Sequence, residues 1–330
     1  MALLGRLNNF GMAFETTRNV AATAPAIFLP WLSLEADIKN EDFIDKSSFG
    51  IVDEVLYTDI SKQWFEGKIS GNLDIDFANQ FLYYFFGNNP TPTSSLGSYT
   101  WIYTALGSTA LPTFTAFFQQ GDNGWYKATG CVFKSLKLKM GAGQEISIEA
   151  DILGLSAASI SAQTVVYTKP NKISLGKNVA LAYATNVSGL SSPTAVQLRE
   201  LSIDVSRNTK DYTVLGTLNP VDTFSNQLTV KGACKFVIAG SSAATLQADF
   251  VAGNKKAFKI SIVNTNQNVI GTSANKPTLN FILPLSRFNI KTDRPQDDVV
   301  VANLDFMPEF SATDGYTIQA TAINAVATVS

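Results

Sequence analysis

The sequence predicts a mainly β fold in two tandem units, and three observations support this prediction. First, apolar and polar residues alternate with period two, as in strands with one buried face. The alternating segments are Ile69–Phe77, Leu136–Met140, Ile146–Ile152, Leu201–Val205, Phe258–Val263 and Val300–Phe306. Second, turn-forming Gly, Asn, Asp and Pro residues separate these segments, at 121–124, 141–143, 219–220 and 293–295. Third, the order strand, helix, three strands occurs twice, roughly 155–160 residues apart.

The repeat rests on matching patterns, because the two halves share little identity. Leu136 and Leu138 match Phe288 and Ile290, and the run 146–152 matches 300–306. The segment 113–117 resembles 257–261, and Leu73, Ile75 and Phe77 match Cys234, Phe236 and Ile238. We therefore expect each unit to be a β-sandwich or barrel-like domain.

Helical patterns occur in only two stretches, Asn79–Phe86 and Ala243–Val251. Each is followed by Gly-Asn, beginning at Gly87 and Gly253, which is a favourable helix end. One helix is thus predicted to flank each domain.

The predicted organisation is an N-terminal arm at 1–24, a first domain at 25–160 and a second domain at 161–330. The boundary falls in 156–172, which is small, polar and reaches Pro170. An insertion at 88–112 has no counterpart in the second half. We expect it to be a surface loop whose exposed Trp101 and Tyr103 contact a partner.

The composition argues against an enzyme and against tight binding to nucleic acid. The chain has 330 residues, no histidine and a net charge of −2. Without histidine, Ser-His-Asp triads, Cys-His pairs and His-containing zinc sites are excluded. No basic run marks a site for DNA phosphates, and no phosphate-binding glycine pattern is present. We expect no catalytic residue, metal or cofactor.

The two cysteines, Cys131 and Cys234, lie in apolar, strand-like runs. Buried free thiols are the expected state, with a disulfide between them as the alternative. No signal peptide and no run of about 18–20 apolar residues is visible, so we expect synthesis in the cytoplasm and no membrane span.

Paired carboxylates are the remaining candidates for chemistry. Asp74 and Asp76 share one face of a predicted strand, as do Glu145, Glu149 and Asp151. Such pairs serve glycoside hydrolysis or bind Ca²⁺ in some proteins. A solvated strand face is favoured here, because nothing in the pattern would raise a carboxylate pKa. The turn at 141–143 predicts that Lys139 lies near Glu145.

Several of these runs resemble the tail-tube proteins of long-tailed bacteriophages. The run from Gly130 to Gly154, GCVFKSLKLKMGAGQEISIEADILG, is similar to the central hairpin of that family. Similar elements are 11–17 followed by 23–25 near the N-terminus, 111–113 before a strand, and 202–208 in the second half. The resemblance spans most of the chain.

The resemblance implies a structural virion protein assembled in the host cytoplasm into stacked rings. Long hairpins of these rings would close into one β-barrel around double-stranded DNA, which passes without specific binding. Two domains per chain would give homotrimeric rings in place of six-chain rings. Implied partners are further copies of the chain, the tail terminator, the tape measure and the distal tail protein.

Two alternatives remain open at this point. One is another tail ring, hub or secretion-tube component. The other belongs to a different class, a carbohydrate-binding or carbohydrate-cleaving β-sandwich that uses Trp101, Trp125 and the carboxylates.

Residue-level expectations follow from the tube hypothesis. DNA slides best along a polar wall of net negative charge, so we expect Asp74, Asp76, Glu149 and Asp151 to face the lumen, with Lys137 and Lys139 neutralised by nearby carboxylates. Apolar residues without an evident place in either domain are expected at contacts between subunits. These are Leu3, Leu4, Leu7, Phe10, Phe14, Trp101 and Tyr103.

Overall fold

Antiparallel strands dominate the computed structural model, which confirms the mainly β prediction. The structure describes residues 8–47, 54–55, 57–88, 90–105, 107, 110–121, 124–167, 173–238, 240–293 and 300–328. The elements of the first half (residues 8–160) are β1 (Phe10–Phe14), β2 (Ile27–Phe28), β3 (Ser33–Asp45), β4 (Tyr57–Asn72), α1 (Ile75–Phe86), β5 (Thr93–Ser95), β6 (Ser98–Thr104), β7 (Phe114–Gln119), β8 (Trp125–Gly141), β9 (Ser147–Gly154) and β10 (Ser156–Ile160).

The elements of the second half (residues 173–328) follow a similar order. They are β11 (Val179–Ala184), β12 (Thr194–Val196), β13 (Leu198–Ser206), β14 (Lys210–Tyr212), β15 (Asp222–Phe224), β16 (Thr229–Val237), α2 (Gly240–Val251), β17 (Lys256–Val263), β18 (Thr278–Asp293), β19 (Val301–Pro308) and β20 (Gln319–Asn324).

The same strand pairings occur in both halves. In the first half β3 pairs with β4, β4 with β9, β9 with β8, β8 with β7 and β10, and β7 with β1. In the second half β13 pairs with β16, β16 with β19, β19 with β18, β18 with β17 and β20, and β17 with β11. The division into domains at 25–160 and 161–330 stays a prediction, and this repeated pattern supports it.

One eight-stranded sheet runs through both halves, in the order β3–β4–β9–β8–β13–β16–β19–β18. The long strands β8 and β18 pass from this sheet into a second sheet of their own half, where they pair with β7 and β17. The two layers bury aromatic residues between them. Phe65 of β4 stacks on Phe118 of β7 at 5.1 Å, and Phe306 of β19 stacks on Phe258 of β17 at 5.3 Å.

Helix α1 is buried along most of its length in this core. Its ring contacts include Phe81 with Phe133 of β8, at 5.4 Å between centroids. The helix ends at Gly87, whose φ of 76° is the left-handed conformation that glycine tolerates best. The predicted end of this helix is confirmed.

The start of α1 lies earlier than predicted. The strand predicted over Ile69–Phe77 ends at Asn72, and the helix predicted to begin at Asn79 begins at Ile75. Asp74 is the N-cap, and its Oδ1 accepts a hydrogen bond from the Asp76 backbone N–H at 2.9 Å. An aspartate at this position stabilises a helix start, which explains why the strand-like alternation does not continue.

The prediction of an exposed loop at 88–112 is wrong for residues 98–104, which form a largely buried strand, whereas residues 93–97 are exposed. The insertion forms β5 and β6, and β6 pairs with β20 of the second half. Trp101 and Tyr103 are 2% and 0% exposed, with stacked rings 6.3 Å apart. They lie opposite Ala322 and Ala320, whose small side chains leave room for the rings.

The predicted N-terminal arm includes a strand of the first half. Phe10 and Phe14 belong to β1, which pairs with β7; Phe10 is buried in the core and Phe14 is 38% exposed. The prediction of a separate N-terminal arm at 1–24 is therefore wrong for residues 10–14, which belong to the sheet of the first half. Leu3, Leu4 and Leu7 lie outside the described residues.

Both cysteines are buried and free, as predicted. Burial raises the pKa of the Cys131 thiol well above its usual value and that of Cys234 to about 12. Both side chains therefore behave as small apolar groups of the core.

Candidate functional site

One face of the eight-stranded sheet is a broad polar surface. Directly opposite residues on paired strands point to the same side, so the registers define rows across the sheet. One row passes through Ser70, Glu149, Lys137, Asp204 and Lys231. The opposite face carries apolar side chains into the core. A single surface with alternating charges thus crosses from the first half to the second.

Ion pairs link neighbouring strands along this polar face. Lys68 and Lys139 both approach Glu149, with N–O distances of 3.0 and 3.6 Å. The hydrogen bond from Lys68 lowers the pKa of Glu149 and raises the pKa of Lys68. The sequence predicts Glu145 as the partner of Lys139, and the observed pairing with Glu149 corrects that prediction. Glu145 instead accepts a hydrogen bond from Asn72 at 2.5 Å.

Acidic and basic side chains are about equal in number on the polar face. The acidic ones are Glu35, Asp37, Glu41, Glu66, Glu149, Asp151, Glu200, Asp204, Asp293 and Asp305. The basic ones are Lys39, Lys62, Lys68, Lys134, Lys137, Lys139, Lys231, Lys235, Arg287 and Lys291. The net negative charge expected of a channel wall stays a prediction, and Lys137 and Lys139 do lie next to carboxylates, at 3.9 Å from Asp204 and 3.6 Å from Glu149.

The polar face is concave where the two halves meet. Side chains of β8, β13, β16 and β19 line an open depression of about 880 Å³. Its lining includes Lys137, Ser202 and Asp305 as well as the apolar Met140 and Leu201, so the depression combines charged and apolar groups.

Two of the four carboxylates predicted to line a channel lie on the polar face. Glu149 and Asp151 project from β9, and Asp151 accepts a hydrogen bond from Ser135 Oγ at 2.6 Å. Asp74 and Asp76 do not share a strand face, because they lie at the start of α1, where Asp74 is 4% exposed. The prediction that these two residues share a strand face is wrong, and the expectation that they face the lumen rested on that arrangement.

The junction of the two halves includes two buried residues that no sequence motif indicates, Arg207 and Asn324. Arg207 is 3% exposed, and its Nη2 donates a hydrogen bond to Phe86 O, at the end of α1, at 2.9 Å. Burial lowers the pKa of Arg207 to about 10. Asn324 Nδ2 donates to Ile75 O at 3.1 Å. These contacts are 121 and 249 residues apart in sequence, so no local pattern signals them.

The arrangement offers little to a carbohydrate. Trp101 and Trp125, the proposed stacking platforms, are 2% and 5% exposed and pack within the core. The paired carboxylates of β9 are engaged by lysines and a serine. The exposed tryptophans and free carboxylates that suggested a carbohydrate site are therefore not present at these positions.

Two further observations concern other classes of site. Among the described residues, no cluster of three or more His, Cys, Asp or Glu is placed to hold a metal ion. Within the same residues, no helix is both long and apolar enough to cross a membrane.

Comparison with family models relates the chain to known proteins. A family model described as phage tail tube protein matches residues 5–308. No curated protein matches the chain.

Proposed function

The chain belongs to the phage tail tube protein family, and we propose that it assembles as stacked rings into the tube through which double-stranded DNA leaves the virion. Its role is structural, as a component of the virion tail. The observation that carries the proposal is the pairing of β8 with β13, which joins two sets of four strands into one sheet with a continuous polar face.

In this proposal the polar face is the wall of the channel. Apart from the outer part of the β3–β4 hairpin, the other side of the sheet packs against α1 and the second sheet of each half, so the polar side is the one that can meet DNA. Glu149 and Asp151 would contribute to the wall, together with Lys137 and Lys139.

The near balance of charges suits passage without binding. A basic wall would bind DNA phosphates by releasing counterions, and a strongly acidic wall would repel the DNA. Here most lysines of β4 and β8 lie within ion-pairing distance of a carboxylate. DNA would meet paired charges, which present weak fields beyond about one Debye length.

The number of strands favours three chains per ring. Three copies of the eight-stranded sheet give about 24 strands, which at ~4.8 Å spacing and ~40° tilt close into a barrel roughly 48 Å across its backbone. Inward side chains would leave on the order of 35–40 Å, enough for a hydrated duplex. Six chains would give about 48 strands and a needlessly wide channel.

The other proposed partners follow from the role of the chain as the wall of a tail tube. The ends of such a tube would meet a tail terminator and a distal tail protein, and its interior would hold a tape measure before DNA passes. We propose that assembly takes place in the host cytoplasm.

Electron microscopy of the purified protein tests this function. We expect rings or tubes in negative stain, and a mass of isolated rings equal to three chains. A protein that stays monomeric at all concentrations would overturn the tube proposal. Rings with six-fold symmetry and one chain per symmetry unit would overturn the proposed trimer. They would mean that only one half of each chain builds the wall of the channel.

A further inference from the structure

The outer part of the β3–β4 hairpin has little support from the rest of the first half. Its residues 42–44 and 57–60, which we call the outer hairpin, are all exposed. Among the described residues, the side chains of 39–60 form hydrogen bonds and ion pairs only with other residues of the same hairpin. An isolated two-stranded ribbon is marginally stable in water, so the direction of the outer hairpin depends on how its root is held.

The root of the outer hairpin contains a β-bulge. Glu41 of β3 lies opposite Lys62, and the next residue, Asp42, lies opposite Ile60. Ser61 is therefore an extra residue on β4, and its Oγ donates a hydrogen bond to Glu41 O at 2.8 Å. A bulge bends its strand and interrupts the ladder of hydrogen bonds. The ribbon beyond Ser61 can therefore swing about this point.

A segment of the second half lies against β4 next to the bulge. This segment, residues 207–226, leads from β13 towards β16 and contains β14 and β15; we call it the brace. The Gln63 backbone N–H donates a hydrogen bond to Leu218 O at 3.0 Å, and Asn219 Nδ2 donates to Gln63 O at 2.9 Å. Strand β9 pairs with β4 only from Phe65 onward, so the brace covers an edge of β4 that β9 leaves open.

An ion pair connects the brace to the same part of β4. Lys62 Nζ pairs with the Asp211 carboxylate, and the two side chains are 23% and 21% exposed. Lys62 Nζ also lies 4.8 Å from the ring centroid of Trp64. Water screens a partly buried pair less than a fully exposed one. The brace therefore holds the root of the outer hairpin through both charge and hydrogen bonds.

The brace is itself anchored to the first half at points away from the hairpin. Arg18 Nη2 lies 2.8 Å from Asp222 Oδ1 and donates a hydrogen bond to Thr223 O at 2.5 Å. The Arg207 backbone N–H donates to Lys134 O of β8 at 3.0 Å. These contacts tie both ends of the brace to the body of the first half, so the brace can transmit a fixed position to β4.

The repeated topology shows that the two segments are counterparts. Strands β3 and β4 begin the four-strand set of the first half, as β13 and β16 begin that of the second half. The connection between β3 and β4 therefore corresponds to the brace. One connection is an exposed ribbon and the other lies against the first half, so the two have different roles in the chain.

We infer that the brace positions the outer hairpin, so that the second half of the chain sets the direction in which a part of the first half projects. Ser61 is the hinge, and Asp211 and Asn219 are the positioning residues. The inference goes beyond the proposed function, because it concerns the single chain. In the proposed tube, the brace would also fix the direction in which Phe43 and Ile44 face the next ring.

Hydrogen exchange of the dilute monomer, followed by mass spectrometry, tests the brace. The variant Asp211→Asn/Asn219→Ala removes the ion pair and the amide hydrogen bond at the root of the outer hairpin. Glu309→Gln is the matched control, because it also removes one negative charge and one ion pair, that with Lys255, outside the brace. Peptides from β8 and β9 report on the core in all three proteins.

We expect exchange of the outer hairpin to rise about fivefold in the double variant and to stay unchanged in the control. The reason is that loss of the brace contacts increases the fraction of time in which the hairpin is open. Exchange in β8 and β9 should be the same in all three proteins. Faster exchange in the brace with no change in the outer hairpin would overturn the inference. No change in either segment would also overturn it, because these contacts would then hold nothing in place.

The single variant Asn219→Ala covers the case in which the double variant does not fold. It keeps both charges and removes one hydrogen bond, so exchange of the outer hairpin should rise about twofold. An unchanged rate in this variant would contradict the role of Asn219. Since exchange is measured on monomers, a wild-type protein that forms no rings or tubes would overturn the proposed function, and the brace would still be decided by the exchange rates.

Discussion

Lys137 and Asp204 lie directly opposite each other on β8 and β13, with Nζ 3.9 Å from Oδ2. They are the centre of the charge row that crosses from the first half of the chain to the second. Both side chains are more than a third exposed, so water screens their attraction. The pairing of β8 with β13 is therefore stabilised mainly by backbone hydrogen bonds and by the apolar side chains of the other face.

A double-mutant cycle on this pair should give a small coupling. We expect Lys137→Met, Asp204→Asn and the double variant to yield a coupling free energy of unfolding below about 1 kcal/mol, the range of exposed ion pairs. Urea denaturation at low salt is the measurement. A coupling of several kcal/mol would mean that the pairing of β8 with β13 depends on this ion pair.

Trp101→Ala should destabilise the chain strongly. Trp101 is buried, stacks on Tyr103, and donates a hydrogen bond from Nε1 to Val326 O at 2.9 Å. Removing it should cost ~3–5 kcal/mol in the free energy of unfolding. Ile102→Ala on the same strand is the control, since Ile102 is 46% exposed, and its cost should be below ~1 kcal/mol. Equal costs would contradict the burial of β6 against β20.

Local patterns allowed prediction of the strands that carry the polar face. The alternation of Leu136–Met140 and of Ile146–Ile152 reflects one wet and one apolar face, which is the signal that period two reports. The C-terminal ends of the two helices were also predictable, because a glycine follows each helical pattern. Gly87 and Gly253 have the positive φ that ends a helix and that glycine tolerates best. These are features in which neighbouring residues decide the conformation.

Other features depend on residues distant in sequence. Trp101 and Tyr103 are buried because Ala320 and Ala322 come to lie opposite them, and nothing near residue 100 reports this. The long hairpin of β3 and β4 escaped prediction, since both of its faces are exposed beyond about residue 39 and alternation is lost. Asp74 has strand-like neighbours, yet it caps a helix.

Gly232→Ala should be disruptive. A Cβ at Gly232 would lie 2.0 Å from the ring of Phe306, so the ring or the strand would have to move. We expect a loss of at least ~1–3 kcal/mol in the free energy of unfolding. Gly107→Ala is the matched control, because no atom lies within 4 Å of its added Cβ. If both variants unfold at the same urea concentration, the packing of Phe306 over β16 is wrong.

Glu149 should make the stability of the chain sensitive to acid. Its pKa is lowered in the folded state, first by the hydrogen bond from Lys68. A lowered folded pKa gives stability that is present above the unfolded value of ~4.3 and is lost as the pH falls through the folded value. The side chain is partly exposed, so the contribution should stay below about 1 kcal/mol.

The variant Glu149→Gln isolates this contribution. Between pH 7 and pH 3.5 the wild-type urea midpoint should fall further than that of the variant, because the other carboxylates titrate in both proteins. Identical falls in the two proteins would show that the ion pairs of Glu149 add nothing to folding.

The outer part of the β3–β4 hairpin should affect the stacking of rings and leave the fold of the chain intact. Phe43 and Ile44 are 53% and 47% exposed there, and Phe43 lies opposite Asp59 on β4. Exposed apolar groups of this kind mark contact surfaces. Phe43→Ser/Ile44→Ser should change the free energy of unfolding by less than about 1 kcal/mol and shorten or abolish the tubes seen in negative stain. Phe43→Tyr/Ile44→Val keeps the apolar surface and should give tubes of normal length. Normal tubes from the serine variant would exclude this hairpin from the contact between rings.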